Sequence, residues 1–271
     1  ITNFYDSKYK LLLILPFALL VFSLLSIGIK YASTGDFINR DISLKGGVTL
    51  TITTNEKIDI NEVENKLKAK FIKNDISARS LTRLGTQIGI IVAADTKENE
   101  LNSLLEEIEK ITKIKLTKEN YTVEIIGSAL GASFFKEVVI ALIAAFVFMS
   151  IVVFLYFRTF VPSIAVILAA FSDMVCTLAI VNFLNMRVST AGIAAFLMLI
   201  GYSVDTDILL TTRVLRRKEG TILERVLGAI KTGLMMTATT LVAATVALIF
   251  TQSETIKQIM IILIIGLTVS K

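Results

Sequence analysis

The sequence predicts an α-helical membrane protein, a bundle of six transmembrane helices carrying one inserted α+β domain. Three observations lead there. The 271-residue chain is 54% hydrophobic with a mean hydropathy of +0.73, too apolar for an ordinary soluble domain. Apolar runs long enough to cross a bilayer recur along it. Charge is uneven: long stretches carry none, whereas residues 55–120 are rich in Lys and Glu. The reading divides the chain into a first transmembrane helix (1–30), an outer domain (31–135) and the remaining transmembrane helices (136–271).

The first span runs from Leu11 to Ile29, after Lys8 and Lys10. It is long and lacks a small-residue cleavage site, so it reads as a retained anchor. The second covers Val138 to Phe157, and Arg158 and Thr159 form a tight connection to the third, Phe160 to Val181. Pro162 falls in the first turn of that helix, where its missing N–H does no harm. The fourth span is Ala191 to Thr211 and the fifth Thr232 to Phe250. The sixth, Ile256 to Ser270, reaches roughly 22 Å, short of a ~30 Å hydrocarbon core. The chain begins at Ile1 rather than Met and stops soon after an apolar run, so native residues are expected beyond both ends.

The outer domain has its own order. Val48 to Thr54 alternates and is rich in Thr, as a strand does. Asp59 and Glu62 make a capping box, and Val63, Leu67 and Phe71 continue a helical stripe. Ser77 to Leu84 and Gln87 to Ala94 read as strands joined at Gly85 and Thr86. Asp95 and Glu98 suggest a second capping box, with Leu101, Leu104, Leu105, Ile108 and Ile111 as the apolar face of its helix. Tyr121 to Ile126 is a last strand. The order βαββαβ predicts a ferredoxin-like split βαβ sandwich, a fold that by itself implies no activity.

Basic residues set the orientation. Lys8, Lys10, Arg158, Arg213, Arg216, Arg217, Lys218, Arg225 and Lys231 all fall on one side of an alternating topology, which is the cytoplasmic side. The N-terminus is then cytoplasmic and residues 31–135 extracytoplasmic, in a multi-pass protein of the cell membrane. Residues 213–231 read as an amphipathic segment at the inner surface, interrupted at Gly220. The net charge of +5 is explained by basic flanks of membrane helices rather than by nucleic-acid binding. The absence of His excludes Ser-His-Asp and Cys-His catalysis and classical His-containing zinc sites. No cofactor, metal or enzymatic activity is expected. The single cysteine, Cys176, reads as a packing residue.

Asp205 and Asp207 lie near the end of a long apolar run, and Asp173 lies within a neighbouring one. An ionised carboxylate in hydrocarbon costs ~2.5–3.5 kcal/mol near a helix centre, so these acids need partners, water or a task. On a helix Asp205 and Asp207 stand about 200° apart and face nearly opposite ways. Asp205 is taken as the buried ionisable site: a proton-controlled switch, or an acid kept protonated by a neighbouring helix. Asp207, nearer the cytoplasmic edge, pairs with Arg213 or Lys231 or stays in water. Asp173 is a relay acid or a hydrogen-bonded structural one. Thr237, Thr239 and Thr240 either solvate the acids or bond back to their own helix. Gly192 and Gly201 permit close helix contact or mark a hinge, and Arg213 anchors the inner end of the fourth span.

The fourth span reads GYSVDTDILLTTRVLRR, Gly201 to Arg217. With the topology, it resembles the SecF branch of the SecD/SecF protein-export family, in the resistance–nodulation–division (RND) superfamily. LKGGVTL (Leu44–Leu50) resembles the Gly-Gly motif opening the family's first outer domain. FRTFVPSIAVILAAFSDMVCTLAIV (Phe157–Val181) and TATTLVA (Thr237–Ala243) resemble segments of its second, third and fifth spans. The Ile- and Lys-rich, His-free composition fits an archaeal member. Bacterial members have Asn-Asp where this chain has Asp205-Thr206-Asp207, and an arginine linked to proton transfer where it has Thr232, beside Lys231.

The resemblance implies a six-helix RND-type bundle and an auxiliary role in the Sec translocase. It implies a SecD-type partner, the Sec protein-conducting channel, the translocating polypeptide and the lipid membrane as contacts. It also implies drive by the proton or sodium motive force, with Asp205, Asp207, Asp173 and Lys231 as ion-coupling residues and Thr237, Thr239, Thr240 and Arg213 in support. Three other readings stand beside it. A half-size RND small-molecule exporter would call for a second large outer loop. An intramembrane aspartyl protease using Asp173 and Asp205 would need a Gly-x-Gly-Asp element, which Gly201 to Asp205 does not supply. A structural scaffold of the channel is the fourth reading.

Overall fold

The computed structural model describes residues 2–270 apart from 55, 73, 84–85, 97, 217–220 and 252, with side chains from residue 14 onward except at 98, 216 and 222. It divides into two compact units, Arg40–Val139 on one hand and Ile1–Asn39 with Ile140–Lys271 on the other. Lys8 and Lys10 fall outside the described side chains, as do Arg217, Lys218, Gly220 and the Gly85 end of the expected hairpin.

The chain starts with α1 (Thr2–Thr34), one continuous helix through Pro16. A short helix α2 (Ile42–Lys45), with no signal in the sequence pattern, leads into β1 (Gly47–Thr53). Then come α3 (Ile60–Lys70), β2 (Ile76–Arg83), β3 (Thr86–Ala94), α4 (Leu101–Thr112) and β4 (Tyr121–Ile126). The sheet order is β2-β3-β1-β4, and every neighbouring pair is antiparallel. Val48, Leu50 and Ile52 alternate onto one face, where Val63 and Leu67 of α3 and Leu104 and Ile108 of α4 complete a buried core. Asp59 caps α3 by accepting from the N–H groups of Asn61 and Glu62. The Glu98 side chain of the expected second capping box lies outside the described residues. A 3-10 turn over Glu98–Glu100 moves the start of α4 to Leu101, and its N-cap, Glu100, makes no side-chain cap.

Gly46 and Gly47 have φ of +84° and +140°. A Cβ on Gly46 would lie 2.5 Å from the Ser128 backbone, and one on Gly47 would lie 2.5 Å from the Ala94 carbonyl oxygen. The Gly-Gly pair is thus a backbone crossing that admits no side chain.

The remaining helices are α5 (Ser128–Phe157), α6 (Phe160–Phe183), α7 (Thr190–Arg216), α8 (Ile222–Phe250) and α9 (Glu254–Val269). α5 begins ten residues before the apolar run that marks it, because nothing between Ser128 and Val138 breaks a helix. Among the described residues, five helices are long and apolar enough to cross a membrane. α9, at 16 residues, falls short of that length. The described residues of the segment 213–231 belong to the ends of two longer helices, and 217–220 lie outside the described residues. Arg213–Arg216 ends α7, and a capping box of Thr221 and Glu224 starts α8, which continues through Lys231.

In this unit α7 is central, packing against α6, α8 and α9, while α1 lies along α6. Val153 and Phe157 of α5, Val166 and Ala170 of α6, and Ile200 and Val204 of α7 share one apolar cluster. Gly266 and Gly233 set helix spacing. A Cβ at Gly266 of α9 would meet Leu199 at 2.5 Å, and one at Gly233 of α8 would meet Leu210 at 3.3 Å.

Candidate functional site

The acids sit on α6 and α7, which pack against each other. Helical rotation alone separates them. Ser203 and Asp207 are four residues apart and share a face of α7, with the buried Val204 and Thr206 between them. Asp205, about 200° around from Asp207, takes the opposite face. The expectation that Asp205 is the buried acid is therefore corrected. In this chain by itself Asp205 is exposed and Asp207 is half-buried. The inward face of α7 is already filled by Ile200, Ser203 and Val204 against α6, which leaves position 205 no room inside.

Asp173 of α6 is half-buried, and its carboxylate accepts a hydrogen bond from the Ser203 hydroxyl of α7. A hydroxyl at the 2% exposed Ser203 thus gives a mid-span carboxyl a donor in place of water. Thr177, one turn on, returns its hydroxyl to the Asp173 carbonyl at 2.6 Å. The sequence reading overlooked Ser203. Its signal was the spacing of four to Asp207 inside the GYSVDTD motif.

At the other end of α7, Arg213 reaches α8. Its guanidinium donates to the Gly228 carbonyl oxygen at 3.1 Å and to the Thr232 hydroxyl. Arg225 of α8 returns the link by donating to the Val214 carbonyl oxygen at 3.1 Å. The expected anchoring of this helix end by Arg213 thus runs through α8 carbonyl and hydroxyl groups. Lys231 points outward and makes no hydrogen bond or ion pair among the described residues. Position 232, where the resemblance expected an arginine, holds a threonine that accepts from an arginine on the neighbouring helix.

The threonines of α8 divide. Thr237 is buried, whereas Thr239 and Thr240 both bond back to the Met236 carbonyl oxygen, at 2.8 and 3.0 Å. Helical Thr hydroxyls satisfied in this way are not donors to the acids. Gly192 permits contact with α9, since a Cβ there would meet Ile262 at 3.2 Å, while Gly201 has nothing within 4 Å and opens onto the same outer side as Tyr202 and Asp205. No group of three or more His, Cys, Asp or Glu able to hold a metal ion occurs among the described residues. The arrangement offers proton or cation exchange at carboxyls.

Residues 106–270 match the family model for the C-terminal region of the protein-export membrane proteins SecD and SecF. The chain belongs to the SecD/SecF family. It is 40% identical to the protein-export membrane protein SecF of Methanocaldococcus jannaschii over 89% of this chain and 81% of that one. Against the SecF of Pyrococcus furiosus it is 36% identical, covering 98% and 90% of the two chains. In fold it is similar to SecDF of Thermus thermophilus, described as a translocon-associated membrane protein, with a TM-score of 0.72 at 20% identity. The match covers 95% of this chain and 35% of that longer one. A second SecDF structure, in a super-membrane-facing form, matches with a TM-score of 0.57, again covering 35% of its chain. Family membership and the five spanning-length helices make this a multi-pass membrane protein of protein export.

Proposed function

We propose that this chain is an auxiliary subunit of the Sec protein-export translocase, coupling an ion gradient to polypeptide movement together with a SecD-type partner. The observation that carries the coupling role is the split of the acids across α7. Asp173 is held inside by Ser203, while Asp205 lies on a face this chain leaves open. An exposed carboxylate on a membrane helix is costly against lipid, and a second bundle against that face would enclose it. The chain's match to about a third of the longer SecDF chain supports such a partner. Enclosed there, Asp205 gains or loses a proton, or binds sodium, and its charge alters how the two bundles pack. Moving one charge across 100 mV supplies ~2.3 kcal/mol, enough to bias a two-state assembly by about fiftyfold.

In the same reading α9 is the sixth membrane helix, its 16 residues meeting the bilayer through local thinning. Residues 31–135 are extracytoplasmic, the N-terminus is cytoplasmic, and Asp207, Thr237 and Arg213 line or brace the path. The sheet order β2-β3-β1-β4 with α3 and α4 on one face supports a ferredoxin-like assignment for the outer domain. This domain guides polypeptide leaving the Sec channel. No enzymatic step is involved.

The test replaces Asp205 by Asn in vesicles that contain the partner and the channel, and follows release of an exported protein under an imposed proton or sodium gradient. The gradient-dependent part of release is expected to fall at least tenfold. Unchanged release would instead assign the chain a scaffolding role.

A further inference from the structure

The two edges of the outer sheet differ in a way that its core does not require. At the β2 edge, the outward N–H of Ala78 donates to the Glu64 carboxylate of α3 at 3.1 Å. Between Leu81 and Thr82 the pairing slips by one residue, with Ile88 of β3 as the extra residue, which adds local twist beside this edge. These are the devices by which proteins close an edge to further pairing. β4, the other edge, has none of them. Its six residues, YTVEII, contain no Lys and no Pro, and its register with β1 runs unbroken from Gly47–Ile126 to Ile52–Tyr121.

The bond from the Thr53 N–H to the Asn120 carbonyl sets the alternation. Thr122, Glu124 and Ile126 therefore turn their backbone groups towards β1, and Val123 and Ile125 turn theirs away. Neither Val123 nor Ile125 has a hydrogen bond outside the strand ladder among the described residues. Ile125 is 44% exposed along this edge.

We infer that β4 is a docking edge that takes an extended segment of the polypeptide in transit as a fifth strand. Main-chain pairing is the recognition that fits this occupant. A chain moving through an export machine presents changing side chains, and its backbone N–H and C=O groups are the feature common to all of it. Pairing two or three residues gives a hold that is weak enough to break and re-form. The inference rests on the export reading given above, and adds the site and the mode of contact.

The test uses the full chain with its SecD-type partner and the Sec channel in proteoliposomes. An exported polypeptide is arrested partway and carries single cysteines along its extended stretch. Glu124→Cys, beside the open edge, is expected to form disulfides with that stretch. Ile125→Pro removes an outward N–H and leaves the ladder to β1 intact, so crosslinking is expected to fall about fivefold or more. Ile125→Lys, which places a charge on the edge, serves the same purpose should the proline variant not fold. Ile125→Ala keeps the N–H and should keep the crosslink. Equal loss in Ile125→Ala, crosslinks to a second copy or to the partner instead, or no crosslink while export still depends on this chain would each overturn the docking edge alone. Export indifferent to removal of the chain would overturn the export reading with it.

Discussion

The α+β unit and the membrane unit solve opposite problems. Residues 40–139 enclose a continuous core, with Leu50, Leu67, Ile76, Ile90, Leu104 and Ile108 essentially inaccessible. The helices of the other unit keep large apolar side chains outside, among them Phe148 and Leu155 of α5 and Met235 and Val242 of α8. In the spanning-length window of α5 only 6% of residues are buried, against 44% in α7. The α+β unit closes its own apolar core. The membrane unit is built around one central helix, α7, whose Asp205 side this chain leaves open.

The largest expected effect lies in the α+β unit. Leu50→Ala should cost about 3–4 kcal/mol, because a fully buried strand residue leaves a cavity. Limited proteolysis of membrane vesicles should then cut residues 40–139 while α5–α9 stay protected; equal sensitivity of both units would erase the contrast between them. Next is Gly266→Ala. A Cβ there meets Leu199 at 2.5 Å, so α7 and α9 must part or Leu199 must move, at a cost of about 1–3 kcal/mol. Thermal unfolding in detergent should show the loss, and Leu199→Ala in the same chain should recover part of it. Failure of the second change to help would mean that the two helices are not held by this contact.

Ser203→Ala removes the donor to Asp173 and should cost about 1–3 kcal/mol, with Ser203→Thr retaining part of it. Equal stability of all three proteins would deny the pair a role in the bundle. The smallest effect expected is that of Thr240→Val. Its hydroxyl only returns to Met236, so stability in detergent should change by less than about 0.5 kcal/mol. A larger loss would show that Thr240 bonds across the bundle.

The α+β domain was legible because its periods are clean. Val48, Leu50 and Ile52 alternate, and Val63 and Leu67 recur at four, so both faces follow from counting. α2 was not, because four residues carry no period. The start of α4 was misjudged at Asp95 because a capping pattern does not tell a 3-10 turn from a helix. In the membrane unit the spans were visible as apolar runs, but composition alone says little about which face of each is inside. Helical geometry separated Asp205 from Asp207 correctly, yet it could not say which of the two faced α6. That depended on Ile200, Ser203 and Val204 already filling the contact. Arg213 meeting Thr232 across two helices lies beyond any pattern along one chain.

The account turns on the open face of α7 being the one that a partner covers. Asp205→Cys, made in a Cys176→Ala background, measures this directly when single cysteines are placed along the membrane helices of the SecD-type subunit and oxidised in native membranes. The enclosed site predicts a disulfide between position 205 and one partner helix, formed with the intact complex and absent when the partner is omitted. A cysteine at 205 that forms none of these disulfides, yet reacts equally with a lipid-soluble maleimide whether or not the partner is present, would place the acid against lipid and contradict the coupling role.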